Sequence, residues 1–107
     1  MVKNKLDEAK KFAHEAIKLF EQANDTSRLA ESYNLSGVIY KNSFMLDKAI
    51  LMYKKALKIT EQQKDYTLSA IISSNIATLY NELEENQKAI VLFAKSNNYE
   101  LYLSLGN

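Results

Sequence analysis

The sequence has no cysteine, no proline and only two glycines, Gly37 and Gly106. Without cysteine there is no disulfide and no thiolate chemistry. Without proline, and with glycine so scarce, nothing interrupts a helical hydrogen-bond ladder over most of the length. Neither glycine has a second one nearby, which excludes a glycine-rich phosphate loop. Charge of one sign is also lacking: 14 basic and 13 acidic side chains leave a net charge of +1. Such a balance gives no electrostatic drive toward nucleic acid or an anionic membrane. No apolar run approaches the roughly 18 residues that would span a bilayer. The start, Met1 to Lys5, leads into a charged segment and not an apolar one, so no signal peptide is visible. These absences point to the cytoplasm, or to the periplasm if the chain is part of a membrane sensor.

What is present is an ordinary globular composition, 47% hydrophobic and 25% charged, in 107 residues, the length of one domain. Ala, Leu, Lys, Glu and Gln are plentiful and favour helix. The chain also repeats itself. Ala9, Ala49 and Ala89 recur at intervals of 40, and Lys48-Ala49-Ile50 returns as Lys88-Ala89-Ile90. Ala16, Ala56 and Ser96 fall on the same grid, as do Ala13, Tyr53 and Phe93. Gly37 matches Ala77, Tyr40 matches Tyr80, Ala30 matches Ala70 and Asp25 matches Asp65. A fixed period of this size signals a helical array or another repeat architecture.

Apolar residues at helical spacing divide each period into two helices. The pattern predicts five helices in all, over about 5–23, 27–42, 46–63, 67–83 and 85–103. The first aligns with the second helix of each later pair. The expected organisation is one repeat domain, 1–107, made of a half repeat (5–23) and two repeats (27–63 and 67–103). Asp25 and Asp65 stand where a carboxylate can accept the free N–H groups of a first turn. A helix pair that buries a single stripe gains a continuous core only by stacking on its neighbours. Gly37, Ala77, Ala49, Ala56 and Ala89 would allow close helix approach, and Tyr40, Tyr80, Tyr53 and Phe93 would fill the space between.

The order of small and aromatic residues, Gly37, Tyr40, Ala49, Tyr53, Ala56 and then Ala77, Tyr80, Ala89, Phe93, Ser96, resembles the tetratricopeptide repeat. The resemblance covers nearly the whole chain and implies an all-α fold of antiparallel helix pairs, stacked as a short right-handed solenoid. It departs from the pattern in its period, 40 residues against about 34, with the extra length expected around Leu57 to Ser69, in longer helices and a longer turn there. The repeat-ending proline is absent, and Phe44 and Glu84 replace the glycine expected between paired helices. HEAT repeats also run near 40 residues but lack this alternation. The 40-residue variety is similar to repeats of bacterial signalling proteins, such as peptide-pheromone receptors, sensor kinases and transcriptional regulators.

No catalytic constellation can be assembled, so the chain reads as a non-enzyme with no cofactor and no metal site. His14 is the only histidine and has no converging partner. Glu84-Glu85 suits a helix start better than a metal. Lys48, Lys54, Lys55 and Lys58 read as a solvated outer face. The resemblance instead implies a groove lined by the first helix of each pair, at Asn34, Val38, Lys41, Asn42, Ile71, Ser74, Asn75, Thr78 and Asn81, with Glu31 and Glu82 beside them. Asn amides can both donate to and accept from a peptide backbone. Of the Lys, Arg and Asn set with which some members clamp chaperone tails, only Asn75 is matched, so that ligand is rejected. The expected function is a protein- or peptide-binding scaffold; the alternative is a sensory or regulatory segment of a bacterial signalling protein or transcriptional regulator.

The register begins in the middle of a repeat and ends without a polar capping helix. It therefore predicts a piece of a longer protein. Tyr99, Leu101, Tyr102, Leu103 and Leu105 cannot all face one neighbour, so the last helix is expected to pair with a second copy as a homodimer.

Overall fold

The computed structural model describes residues 2–105, with side chains from residue 5 onward. Met1, Gly106 and Asn107, and with them the outer ends of the expected domain, lie outside the described residues. Five helices follow one another: α1 (Val2–Gln22), α2 (Thr26–Asn42), α3 (Leu46–Gln62), α4 (Tyr66–Glu82) and α5 (Asn86–Ser104). Among the described residues there is no strand. Consecutive helices pack side by side, most extensively α2 on α3 and α4 on α5. The result is an all-α helical-repeat solenoid. It measures 43 × 36 × 18 Å, and its thin dimension leaves room for two layers of helices, each about 10 Å across.

Three residues join each helix to the next, at 23–25, 43–45, 63–65 and 83–85. The middle residue of every turn is left-handed: Asn24 (φ 54°), Phe44 (60°), Lys64 (57°) and Glu84 (62°). In each turn the following amide bonds back to a carbonyl of the last helical turn: Asp25 to Phe20, Met45 to Tyr40, Asp65 to Thr60, Glu85 to Tyr80, at 2.8–3.0 Å. This is the Schellman closure of a helix end. The residue that completes it is also the N-cap of the next helix. Asp25 and Asp65 take that place with their side chains accepting from the amides of Arg28 and Leu68, each at 3.1 Å, as the sequence predicts. Met45 and Glu85 cap without a side-chain bond. The extra residues of the 40-residue period are not in a longer turn between repeats: 63–65 is as short as 43–45, and uniform 17-residue helices α2, α3 and α4 absorb them.

The core is centred on the helices with neighbours on both sides. Tyr53, Ala49 and Ala56 of α3 are sealed, as are Ile72, Ile76, Ala77 and Leu79 of α4. Between α3 and α4 the Ser69 hydroxyl donates to Thr60 Oγ1 at 2.8 Å, and Thr60 donates to the Leu57 carbonyl, so both buried hydroxyls are satisfied. Gly37 is what lets α2 approach α3. A Cβ there would lie 2.6–2.9 Å from three ring atoms of Tyr53.

Two core expectations need correction. Tyr40 is half-buried, because it lies at the rim where Lys10 and Lys48 stand over its ring at 5.9 and 5.8 Å. Phe93, the counterpart of the sealed Tyr53, is 39% exposed. Ala77 already carries the Cβ that Gly37 lacks, in the register where such a ring would lie, and no helix follows α5 among the described residues to cover Phe93.

Two substitutions test this account. Gly37→Ala gains up to about 1 kcal/mol of helix propensity but forces the Tyr53 ring to move, at a cost of about 1–3 kcal/mol. A lowered urea midpoint is expected, and in a Tyr53→Ala background the same change should become neutral or stabilising. Phe44→Gly should raise stability by up to about 1 kcal/mol, since an L side chain is strained at positive φ and Phe44 is 90% exposed and contributes little packing. An unchanged or lower midpoint would show that the turn carries no strain.

Candidate partner-binding face

The residues expected to line a groove come from α2 and α4, whose exposed sides carry the same register positions. Asn34 and Val38 of α2 are half-buried, and Val38 packs against the core cluster. Lys41 and Asn42 are exposed at the end of α2, as are Thr78 and Asn81 of α4. Ile71, Ser74 and Asn75 are brought together. With Thr67, Ala70, Glu100 and Leu103 they line a cleft of about 360 Å³ between α4 and the C-terminal half of α5. Ile71 and Leu103 are exposed apolar side chains; Thr67, Asn75 and Glu100 supply polar groups around them. The cleft can therefore offer both apolar contact and hydrogen bonds to an extended or helical segment.

Two of these polar side chains are tied into the protein. Ser96 donates to the Ala70 carbonyl at 3.0 Å and bonds to Ser74 at 2.8 Å. Its single proton is then used, so Ser74 is the donor to Ser96. Thr78 donates to the Ser74 carbonyl within its own helix. One repeat earlier Asn34 occupies the place of Ser74, but Ala56 occupies that of Ser96. The buried Oδ1 of Asn34 accordingly accepts no bond from the chain.

The far wall, Glu100 and Leu103, was not anticipated from sequence. The signal was there, since the two lie three residues apart and share a helix face. What holds this end of α5 in place is a connection to α3. Glu61 accepts a short hydrogen bond from the Tyr99 hydroxyl and an ion pair from Lys95 at 2.8 Å. The Tyr99 ring is buried and stacks on Tyr66 at 6.1 Å, and Tyr66 meets Tyr102 at 5.4 Å. Burial first, and then the Glu61 carboxylate, hold the Tyr99 hydroxyl protonated well above the usual tyrosine range.

Outside this face, His14 is exposed. Among the described residues no three His, Cys, Asp or Glu side chains converge as metal ligands would. Lys54 and Lys55 stand over the rings of Tyr80 and Tyr33 at 5.4 and 5.6 Å, and Lys88 meets Tyr80 from α5 at 5.3 Å. The lysines are thus spread over separate tyrosine rings. No helix among the described residues is long and apolar enough to cross a membrane.

The tie through Tyr99 has a pH signature. Its folded-state hydroxyl keeps its proton longer than the unfolded one, so its contribution is complete below about pH 10 and is lost as pH rises past that value. Tyr99→Phe should cost about 1–2 kcal/mol near neutrality and give a shallower fall of stability in alkali than the parent. Denaturation midpoints from pH 7 to 11 check both; parallel curves for the two proteins would refute the assignment.

The family model described as "Soluble NSF attachment protein, SNAP" matches residues 1–104. No curated protein and no solved structure matches the chain.

Proposed function

Because the chain belongs to the soluble NSF attachment protein family, whose helical-repeat domains generally mediate protein–protein interactions, we propose that it is a non-catalytic attachment module that holds a peptide or helix of a partner protein. The family's name is that of a protein that attaches another. The observation that carries the reading here is the cleft between α4 and α5, where exposed Ile71 and Leu103 stand beside Asn75, Thr67 and Glu100. Exposed apolar groups rimmed by polar ones are the usual composition of an interaction site. Asn34, Lys41, Asn42 and Asn81 extend the polar rim along α2 and α4. The tetratricopeptide-like order of small and aromatic residues supports the same use, since that architecture places ligands against the first helices of its pairs.

The apolar residues left exposed on α5 and at its C-cap, among them Val91, Leu101 and Leu105, support self-association through this helix as a second property of the module. Light scattering over a concentration series should show a dimer, and Leu101→Lys with Leu105→Lys should abolish it; a parent that stays monomeric at high concentration would exclude it.

The partner-binding reading is tested by photo-crosslinking in an extract of the source organism. A crosslinking residue at position 75 should capture one partner, and one at position 58 on α3 should not. Ile71→Glu and Leu103→Glu should each weaken that capture about tenfold or more, as charge placed in an apolar contact does, with helicity and melting unchanged. Capture at position 58 alone would move the interface to the other face.

A further inference from the structure

A second cleft lies on another part of the molecule, enclosed by α1, α2 and α3, with a volume of about 230 Å³. Its wall combines apolar Ala13, Ile17, Ile39 and Met52 with Lys10, Lys55, His14 and Glu21 and the rings of Tyr33 and Tyr40. The register explains why it is open. Forty residues later Tyr53 stands at the position of Ala13 and Ile76 at that of Ser36, and both are sealed in the core. The earlier positions carry the small residues, and space remains where the later ones are filled.

We propose that this cleft is a binding site for a small organic carboxylate with an apolar body. Its charged wall is cationic in balance: two ammonium groups face a single carboxylate, Glu21, whose charge, together with burial, helps keep the nearby Tyr33 hydroxyl protonated. The two ammonium groups have only weak partners. Lys55 stands 5.6 Å from the Tyr33 ring. Lys10 stands 5.9 Å from the Tyr40 ring and 3.9 Å from exposed Asp7, and donates a weak bond to the Met45 sulfur at 3.7 Å. An entering carboxylate would replace these with charge-assisted hydrogen bonds, while its apolar part covers Ile17, Ile39 and Met52. A cationic ligand would meet the same two lysines and be repelled. The volume would hold roughly seven or eight waters, below the range of drug-sized pockets, so the ligand is of the size of benzoate or hexanoate. The site shares no residue with the α4–α5 cleft and stands or falls independently of the partner-binding reading.

The test is a titration of the isotope-labelled chain, followed by amide chemical shifts, with benzoate, hexanoate and the neutral benzamide. Saturable shifts are expected at residues of α1, α2 and α3 around the cleft, with half-saturation at or below about 1–5 mM for the acids and at least about tenfold weaker for the amide. Lys10→Gln and Lys55→Gln should each weaken benzoate several-fold without changing the fold. Ala13→Leu, which fills the space, should abolish binding, and its spectrum reports whether the helices still pack. Benzamide binding as tightly as benzoate, shifts that do not saturate, shifts confined to other residues, or lysine variants that bind like the parent would each overturn the proposal.

Discussion

Each of the four described junctions between helices uses the same three-residue device, in which a left-handed residue closes one helix and the next residue starts another. That single constraint sets the rest. A turn so short leaves consecutive helices no choice but to lie antiparallel and in contact. Its recurrence every 20 residues fixes the helix length at 17 in α2, α3 and α4. With equal lengths and equal turns, residues 40 apart meet equivalent surroundings, which is why small residues at Ala49 and Ala89 can both be sealed. None of the four left-handed positions is a glycine. The strain at each, of order 1 kcal/mol, is offset by two backbone bonds per turn and by capping at Asp25 and Asp65.

The fold was largely legible in the sequence because the period and the small–aromatic order are both local signals. Five helices, the Asp caps and the sealing of Ala49, Tyr53 and Ala56 could be read in this way. Burial of the aromatic residues was legible only where both neighbours exist. Tyr53 lies between α2 and α4 and is fully enclosed, whereas Phe93 sits on the last described helix and is not. Register equates the two positions, but the environment depends on what stacks beyond, and a one-dimensional array has ends. Tyr40 departs for a different reason: long lysines at Lys10 and Lys48 lay their ammonium groups over a rim tyrosine, and no periodic pattern encodes that reach.

The candidate face was legible as positions on α2 and α4, but its shape was not. The expectation treated the polar residues there as equally available. Ser74 is spent on Ser96, and Thr78 on its own helix. The wall opposite comes from the C-terminal half of α5, whose placement depends on a contact between residues 38 apart, Tyr99 and Glu61. Long-range pairs of this kind escape a reading based on spacing along one helix.

The two repeats share a frame and differ in what fills it, and that difference separates stability from recognition. Tyr53 and Ile76 are sealed and Ser74 bonds to Ser96, so the helices are closely packed here, although the buried Tyr53 hydroxyl has no partner. At the places 40 residues earlier stand Ala13, Ser36 and the pair Asn34 and Ala56, leaving an open cleft and an amide oxygen without an internal partner. A chain optimised only for stability would repeat the better-filled version, since atoms that line an open cleft forgo packing contacts. In a solenoid each unit contacts only its neighbours, so a loosely filled first repeat need not disturb the second. The α3–α4 layer can carry the stability of the array while the surfaces on either side of it remain available for binding.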